Sequence, residues 1–204
     1  MRRALLVLAL SLAACSILSP QPDSSRFFTL SAVADGASAP SPNGVAVGLG
    51  PVRVPGYLDR PELPTRVAST ELVFSPRDRW AEPLSSSLRR ILAQNLSALL
   101  GTDDVATFPW PVGTRVDWAV IVDFVRFERT PDGEVETAAR WIVREGAGGR
   151  IRLARDTRYT ERAAGNDTPA VVEAWNKTLA ALSGDIADGI TSLGPRAVSD
   201  DEKP

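Results

Sequence analysis

Few residues of this 204-residue chain could take part in covalent chemistry. The chain contains no histidine and one cysteine, Cys15. A cysteine nucleophile usually depends on a neighbouring base, most often histidine, to form its thiolate. Because the chain has no such base, Cys15 is a poor candidate for a catalytic residue.

The remaining candidates are a run of serines and a pair of aspartates. Ser85, Ser86 and Ser87 lack the Gly-x-Ser-x-Gly pattern that exposes the nucleophile of many hydrolases. Asp103 and Asp104 follow a predicted helix stop, which favours a solvated acidic turn over a metal site. The sequence therefore predicts no catalytic residue, no metal site and no cofactor. An exported hydrolase that uses serine or aspartate is the weakest functional alternative.

Cys15 stands where a bacterial lipoprotein is acylated. Two arginines follow Met1, residues 4 to 14 are small or apolar, and Leu-Ala-Ala precedes the cysteine. A basic start, an apolar run and small residues at the cleavage point describe a secretory signal. The run is shorter than the roughly 20 apolar residues that cross a bilayer. We interpret residues 1–14 as a lipoprotein signal peptide and Cys15 as the lipidation site.

Acylation at Cys15 would hold the mature chain on a membrane. Each buried methylene of an acyl chain contributes about 0.8 kcal/mol, so two or three chains bind essentially permanently. Ser16, and not Asp, follows the cysteine. By resemblance to proteobacterial lipoproteins, the lack of an inner-membrane retention signal points to the outer membrane, with the protein facing the periplasm.

Composition favours a single exported domain and argues against nucleic acid as a partner. Without Arg2 and Arg3, the 23 basic residues become 21, against 25 acidic residues. Binding of nucleic acid needs clustered positive charge, which this mildly acidic chain lacks. Because Cys15 is the only cysteine, the fold must rest on its hydrophobic core, and about 160 residues suffice for one core.

Short segments rich in Val, Ile and aromatic residues predict strands. The second of them contains Gly50-Pro51, where we expect a bulge or bend. The third and fourth pair as a hairpin, and the last three form a meander. The predicted strands cover residues 26–31, 45–55, 65–69, 71–75, 105–108, 116–129, 134–145 and 150–162.

Two amphipathic helices are predicted from apolar residues spaced three or four apart. The first covers residues 82 to 100, with Pro83 in its first turn and Gly101 as its stop. The second runs from a cap at Thr168 to about residue 193. These elements predict a single-domain α+β fold, a mainly antiparallel sheet with two principal helices packed on one face.

Two glycines lie inside the second predicted helix, at Gly184 and Gly189. Glycine has no Cβ, so it lets the backbone come close to a neighbouring element. We expect such a close approach at both positions.

The predicted organisation has four parts. Residues 1–14 are the signal peptide and residues 15–25 a lipidated flexible tether. Residues 26–193 form the α+β domain, and residues 194–204 are a polar tail. A loop rich in Ser, Pro, Ala and Gly is also predicted at residues 34 to 44.

The segment "VPGYLDRPELPTR", residues 54 to 66, mixes aromatic, charged and proline residues. Such residues are costly to bury without a specific partner. Tyr57, Arg60 and Arg66 therefore support the fold or contact a partner protein, and the residues alone favour neither interpretation.

A second segment of this kind is "RWAEPL", residues 79 to 84. It precedes the first predicted helix, so that Trp80 could pack beneath the helix while Glu82 interacts with its positive end. This structural interpretation is favoured over a contact surface for a partner, which stays open.

The chain resembles PqiC-type ABC-transport auxiliary lipoproteins over residues 15 to about 193. The match rests on segments in the family's order: Phe28-Thr29-Leu30, "VRVPGYLDR" at 52–60, Arg66, "RWAEPL" at 79–84, "LAQNL" at 92–96, "VDFVRFE" at 122–128, Trp141 and "LSGDIADGI" at 182–190. Carried over by position, Cys15 is the lipid attachment site. The signature residues are Tyr57, Leu58, Arg60, Arg66, Arg79, Trp80, Glu82 and Pro83.

The resemblance implies a non-enzymatic, lipid-anchored periplasmic component of an ABC/MCE-type system that transports lipid between two membranes. Such a protein would dock the assembly at the outer membrane and form a homo-oligomeric ring. Its partners would be an MCE-domain protein and an ABC permease with its ATPase. The alternative is a structural cell-envelope lipoprotein that acts as a docking module without a transport role.

Overall fold

The structure is a computed structural model that describes residues 23 to 33 and 44 to 194. The predicted signal peptide, Cys15, most of the predicted tether and nearly all of the polar tail lie outside the described residues. The same holds for nearly all of the loop predicted at residues 34 to 44.

The described part of the chain forms eight strands and two long helices in the predicted order. The strands of the hairpin are longer than predicted, since both extend towards the first helix. The elements are β1 (Arg26–Phe28), β2 (Val47–Arg53), a 3₁₀ turn (Gly56–Leu58), β3 (Glu62–Ala68), β4 (Glu71–Trp80), α1 (Leu84–Leu100), β5 (Val105–Thr107), β6 (Trp118–Arg129), β7 (Glu134–Glu145), β8 (Ile151–Arg162) and α2 (Thr168–Leu193).

Strand β6 is the centre of one mixed sheet. On one edge it pairs antiparallel with β7, which pairs in turn with β8. On the other edge, the first half of β6 pairs parallel with β2, and its last residue, Arg129, pairs with Thr65 of β3. The sheet continues from β2 to β5, and from β3 through β4 to β1. The longest pairings and that of β3 with β4 are antiparallel, whereas β1 with β4, β2 with β5, β2 with β6 and β3 with β6 are parallel.

Two strands are irregular, and the sequence predicts the first of these irregularities. The register between β2 and β6 shifts between Leu49 and Val52, around Gly50-Pro51. The register between β6 and β7 shifts between Phe124 and Arg126, which leaves one extra residue in β6. Because of this bulge, Phe124 and Phe127 both reach the core although they are three residues apart.

The helix ends follow capping rules with one difference from the prediction. Pro83 precedes the first turn of α1, and Gly101 ends the helix in the left-handed conformation, with φ at 60°. In α2 the predicted cap was Thr168, but the cap is Asp167, whose side chain accepts a hydrogen bond from the backbone of Ala170. Thr168 is instead the first helical residue, and its hydroxyl donates to Asp78.

Both helices lie on one face of the sheet, which confirms the predicted α+β fold. Helix α1 contacts β2 and β5, α2 contacts β7 and β8, and the helices contact each other. An aromatic cluster fills the core beneath α2, where the ring of Trp175 stacks on Phe127 at 5.1 Å and lies 5.4 Å from Trp80. The opposite face of the sheet, called the open face below, carries alternate residues of β6 such as Arg126 and Glu128.

The two glycines of α2 have different surroundings. A Cβ at Gly189 would lie 3.1 Å from Leu153 and 3.2 Å from the ring of Trp141. At Gly184, apart from the neighbouring residues and the backbone of the helix itself, no atom lies within 4 Å of that position. The expected close approach is therefore present at Gly189, and the expectation for Gly184 is wrong.

This contrast predicts different effects of the same substitution. Gly189→Val should lower the free energy of unfolding by about 1–3 kcal/mol, because the added methyl groups must displace Leu153 and Trp141. The matched control Gly184→Val should change it by less than about 0.5 kcal/mol, because a Cβ there meets open space. Urea unfolding measures both, and equal effects would contradict the packing described for Gly189.

Candidate functional site

The segment between β2 and β3 closes a gap beside the central strand. Strand β2 pairs with β6 as far as Asp123 and β3 pairs only at Arg129, so neither strand covers the edge of β6 at its bulge. The 3₁₀ turn lies here, and the hydroxyl of Tyr57 donates to the carbonyl oxygen of Val125 at 3.2 Å. Leu58, the next residue, is buried in the core. Tyr57 thus replaces the hydrogen bond that a neighbouring strand would supply.

A buried ion pair lies beside this turn. Glu128 is fully buried, and its carboxylate accepts from both Nε and Nη2 of Arg66, the latter at 3.0 Å. Nη1 of Arg66 donates to the carbonyl oxygen of Ser69 at 3.0 Å. The hydroxyl of Tyr57 lies 3.4 Å from the second oxygen of Glu128. The arrangement satisfies a carboxylate that would be costly to bury alone.

The same contacts shift two ionisation equilibria. Hydrogen bonds from its guanidinium to Glu128 raise the pKa of Arg66 further above its ordinary value. Burial, followed by the negative charge of Glu128, raises the pKa of Tyr57. Both residues therefore keep their protons at neutral pH, with Arg66 positively charged and Tyr57 neutral.

Further ion pairs extend across the open face from this pair. Arg126 contacts Glu136 at 3.2 Å and Glu128 at 3.9 Å, and Arg158 contacts Glu136 at 3.2 Å. Glu136 is nearly as buried as Glu128, whereas the outer pair of Arg140 and Asp156 is largely exposed. The open face thus carries a layer of alternating positive and negative side chains. This layer is buried at its Glu128 end and exposed at its Arg140 end.

Arg60 and Arg79 lie near the start of β3 and the end of β4. The guanidinium of Arg60 lies 3.9 Å from the ring centroid of Phe74, and its Nε donates to Glu62 at 2.9 Å. Arg79 pairs across the strands with Glu62 and with Phe27 of β1. Its buried Nε has no hydrogen-bond partner among the described residues.

The other signature residues form the start of α1. Trp80 is buried against Phe127 and Trp175, below the helices. Glu82 accepts hydrogen bonds from Ser87, at 2.8 Å, and from Arg90, at 2.6 Å. Arg90 first, and then Ser87, lowers the pKa of Glu82 through these bonds.

Six of the eight signature residues therefore fall into two structural groups, and Arg60 and Arg79 lie apart from both. Tyr57, Leu58 and Arg66 meet at the bulge of β6, and Trp80, Glu82 and Pro83 meet at the start of α1. The sequence analysis did not identify Glu128 as the partner that joins the first group. The sequence did contain a signal for Glu128, a carboxylate next to Phe127 in a strand of mostly apolar residues. Because of the β6 bulge, however, the sequence pattern does not show which face of the sheet Glu128 occupies.

The residues first considered for chemistry are not gathered into a site. Ser87 is buried and donates to Glu82, whereas Asp103 and Asp104 are exposed. Among the described residues, no three Asp, Glu or Cys side chains lie close enough together to hold a metal ion. Within residues 23 to 33 and 44 to 194, neither helix is apolar enough along its length to span a bilayer.

Comparison with known proteins identifies the family. Residues 28–187 match the family described as the ABC-type transport auxiliary lipoprotein component. The chain belongs to this family. The match includes all the signature residues, and it describes a transport auxiliary lipoprotein, which is not an enzyme class. No curated protein matches the sequence significantly.

Solved structures share the fold of this family member. A crystal structure of an uncharacterised protein has a TM-score of 0.68 at 20% identity, covering 81% of this chain and 98% of its own. A protein from Xanthomonas campestris also has a TM-score of 0.68, at 16% identity, covering 83% of this chain and 97% of its own. At these identities the likeness extends to the fold alone.

The buried ion pair predicts a large effect of removing its cation. Arg66→Met should lower the free energy of unfolding by about 3 kcal/mol, because Glu128 would stay buried without its main partner. The exposed control Arg140→Met should leave the free energy of unfolding almost unchanged, because solvent screens its ion pair with Asp156. The double variant Arg66→Met/Glu128→Leu should recover most of the loss in urea unfolding. A double variant as unstable as Arg66→Met would show that the buried charge is not the cause.

The lowered pKa of Glu82 predicts an effect of pH. Its pKa is lower in the folded than in the unfolded chain, so its stabilising effect is present at neutral pH and is lost as the pH falls through the folded-state value. Glu82→Gln should be less stable than the wild type at pH 7 and should lose less stability between pH 7 and pH 3. Arg90→Gln, which removes the main cause, should flatten the profile similarly. Parallel profiles for all three proteins would exclude this role.

Proposed function

We propose that this protein is a non-enzymatic, lipid-anchored auxiliary component of an ABC/MCE-type system for lipid transport between membranes. It docks the assembly at the outer membrane and faces the periplasm. The family match over residues 28–187 carries the proposal, since that family is a transport auxiliary lipoprotein. The Leu-Ala-Ala-Cys sequence that ends at Cys15 supports the anchor.

The structure supports this role through the way in which the tether joins the domain. Arg26, at the start of β1, donates to Asp78 of β4 at 2.7 Å and lies 3.4 Å from the hydroxyl of Thr168. Thr168 also donates to Asp78 at 2.5 Å. The first strand after the proposed tether is therefore fixed to both the sheet and the start of α2.

The proposal includes a homo-oligomeric ring. Lipid passing between membranes needs apolar surface that is shielded from water, and a single small domain has little room for a tunnel. Strands β1, β5 and β8 each lack a second neighbour among the described residues. Their outer edges could join copies around an axis, as exposed strand edges readily pair.

The signature residues have a structural role in this proposal. Tyr57, Leu58 and Arg66 hold the bulge of β6, while Trp80, Glu82 and Pro83 fix the start of α1. Arg60 keeps a side chain that is 45% exposed, so it is available to a partner. The proposed partners are an MCE-domain protein and an ABC permease with its ATPase.

The anchor predicts a change in cell fractionation. Cys15→Ala should move the protein from the membrane fraction to the soluble or uncleaved precursor fraction, because no acyl chain can be attached. The control Ser16→Asp should stay acylated but shift towards the inner-membrane fraction. Density-gradient fractionation with mass spectrometry of the first mature residue measures both, and an unacylated wild-type protein that retains residues 1 to 14 would refute the anchor.

The transport role needs a separate test. Deletion of the gene, with complementation by the wild type or by Cys15→Ala, should alter the lipid distribution between the two membranes, and only the wild type should restore it. Defects in cell division or shape with an unchanged lipid distribution would favour a structural envelope lipoprotein instead. Chemical crosslinking of the acylated protein should recover oligomers and the MCE-domain partner; recovery of monomer alone would contradict the assembly.

A further inference from the structure

An apolar loop follows β5 at the edge of the sheet. Residues 108 to 114 read "FPWPVGT" and contain no charged residue. Phe108 is 43% exposed, and Val112 is fully exposed. The ring of Trp110 packs edge-on against Phe108, with centroids 5.4 Å apart. We call residues 108 to 114 the tip loop.

The tip loop is held in place by the sheet. The backbone nitrogen of Phe108 donates to the carbonyl oxygen of Leu49 at 2.8 Å, and the hydroxyl of Thr114 donates to that of Pro111 at 2.8 Å. Trp110 lies against Gly48, where a Cβ would approach its ring to 3.2 Å. Exposed apolar side chains on a positioned loop are typical of a contact surface.

The tip loop lies at the end of the domain remote from the tether. Residues 113 to 117, which begin with the end of the tip loop, and the turn at residues 145 to 149 line one open cavity of about 560 Å³. That turn leads into β8, where Leu153 faces Gly189, near the end of α2. The tether joins the domain at the other end of α2, beside Thr168. At 1.5 Å per residue, the 26 residues of this helix separate the two ends by about 39 Å.

The tether is too short to reverse this orientation. Eight peptide steps lead from Cys15 to Asp23, the first described residue, and they reach at most about 29 Å. If the tip loop pointed into the bilayer, the distance from Asp23 to the bilayer would exceed the maximum reach of the tether. In the anchored protein, the tip loop therefore cannot point straight into the membrane that holds Cys15.

We propose that the tip loop is the docking surface for an apolar segment of the partner protein on the periplasmic side. This inference rests on the proposed anchored role and adds the surface through which the partner is held. Phe108 and Val112 supply the apolar contact, while Trp110 supports the loop from behind. Aromatic and aliphatic anchors of this kind carry most of the binding free energy at protein interfaces.

Photo-crosslinking in cells tests the surface directly. A benzophenone amino acid replaces Val112 in the full-length, acylated protein, and matched positions elsewhere are Phe27, near the tether, and Val125, in the middle of β6. All three native side chains are at least half exposed. After irradiation, antibody to the MCE-domain partner should detect an adduct from position 112 at least tenfold stronger than from positions 27 and 125.

Each other outcome has a definite meaning. Partner adducts only at position 27 or 125 would overturn the tip loop while leaving the proposed function intact, and no partner adduct at any position would count against both. Adducts at position 112 with a second copy of this chain, or with lipid, would replace the proposal by an oligomer or a membrane contact.

A substitution in the tip loop gives an independent measure. Val112→Asp should reduce co-purification of the partner at least tenfold without changing the thermal unfolding midpoint, because the side chain is fully exposed. Val125→Asp serves as the matched control on the sheet. Equal co-purification with both variants would overturn the inference.

Discussion

The fold depends on hydrogen bonding along one strand, β6, whose two edges must both be satisfied. One edge pairs with β7 along its whole length. The other edge is shared between β2, which pairs with the first half of β6, and β3, which pairs with its last residue. The bulge at Val125 falls in the interval between them. Tyr57 fills this interval with a hydroxyl, and Arg66 neutralises the carboxylate of Glu128, which the bulge places on the open face. An unpaired backbone edge and a buried charge are therefore satisfied by one short segment.

Packing contacts also join the two halves of the sheet. The β2 and β5 side carries α1, and the β7 and β8 side carries α2. Trp80 brings the β4 side into the same core, because it packs against Trp175 of α2 and Phe127 of β6. Several residues of the family signature therefore connect these parts of the structure. Their role in folding does not prevent the exposed side chain of Arg60 from contacting a partner.

Much of this architecture could be predicted from the sequence because it follows local periodicity. The apolar spacing of both helices, the turn chemistry of the β6 to β8 meander and the bend at Gly50-Pro51 all act within a few residues. The parallel pairing of β1, β2, β3 and β5 could not be predicted, since the residues of a short strand do not indicate which strand it pairs with. Capping of α2 was displaced by one residue because Thr168 bonds to Asp78, a partner 90 positions away in the chain. The pairing of Arg66 with Glu128 depends on the bulge, which decides the face that Glu128 occupies.

The attachment of β1 also determines how the domain would carry mechanical load. In the proposed anchored protein, tension from the membrane would first reach three residues, Arg26 to Phe28, that join β4 at the margin of the sheet. Only behind them does Leu30 enter the core, where it is almost completely buried. The proposed connection to the bilayer would thus have two stages in series, first the pairing of β1 with β4 and then the burial of Leu30. A pull that detached β1 would meet Leu30 before it reached the central sheet.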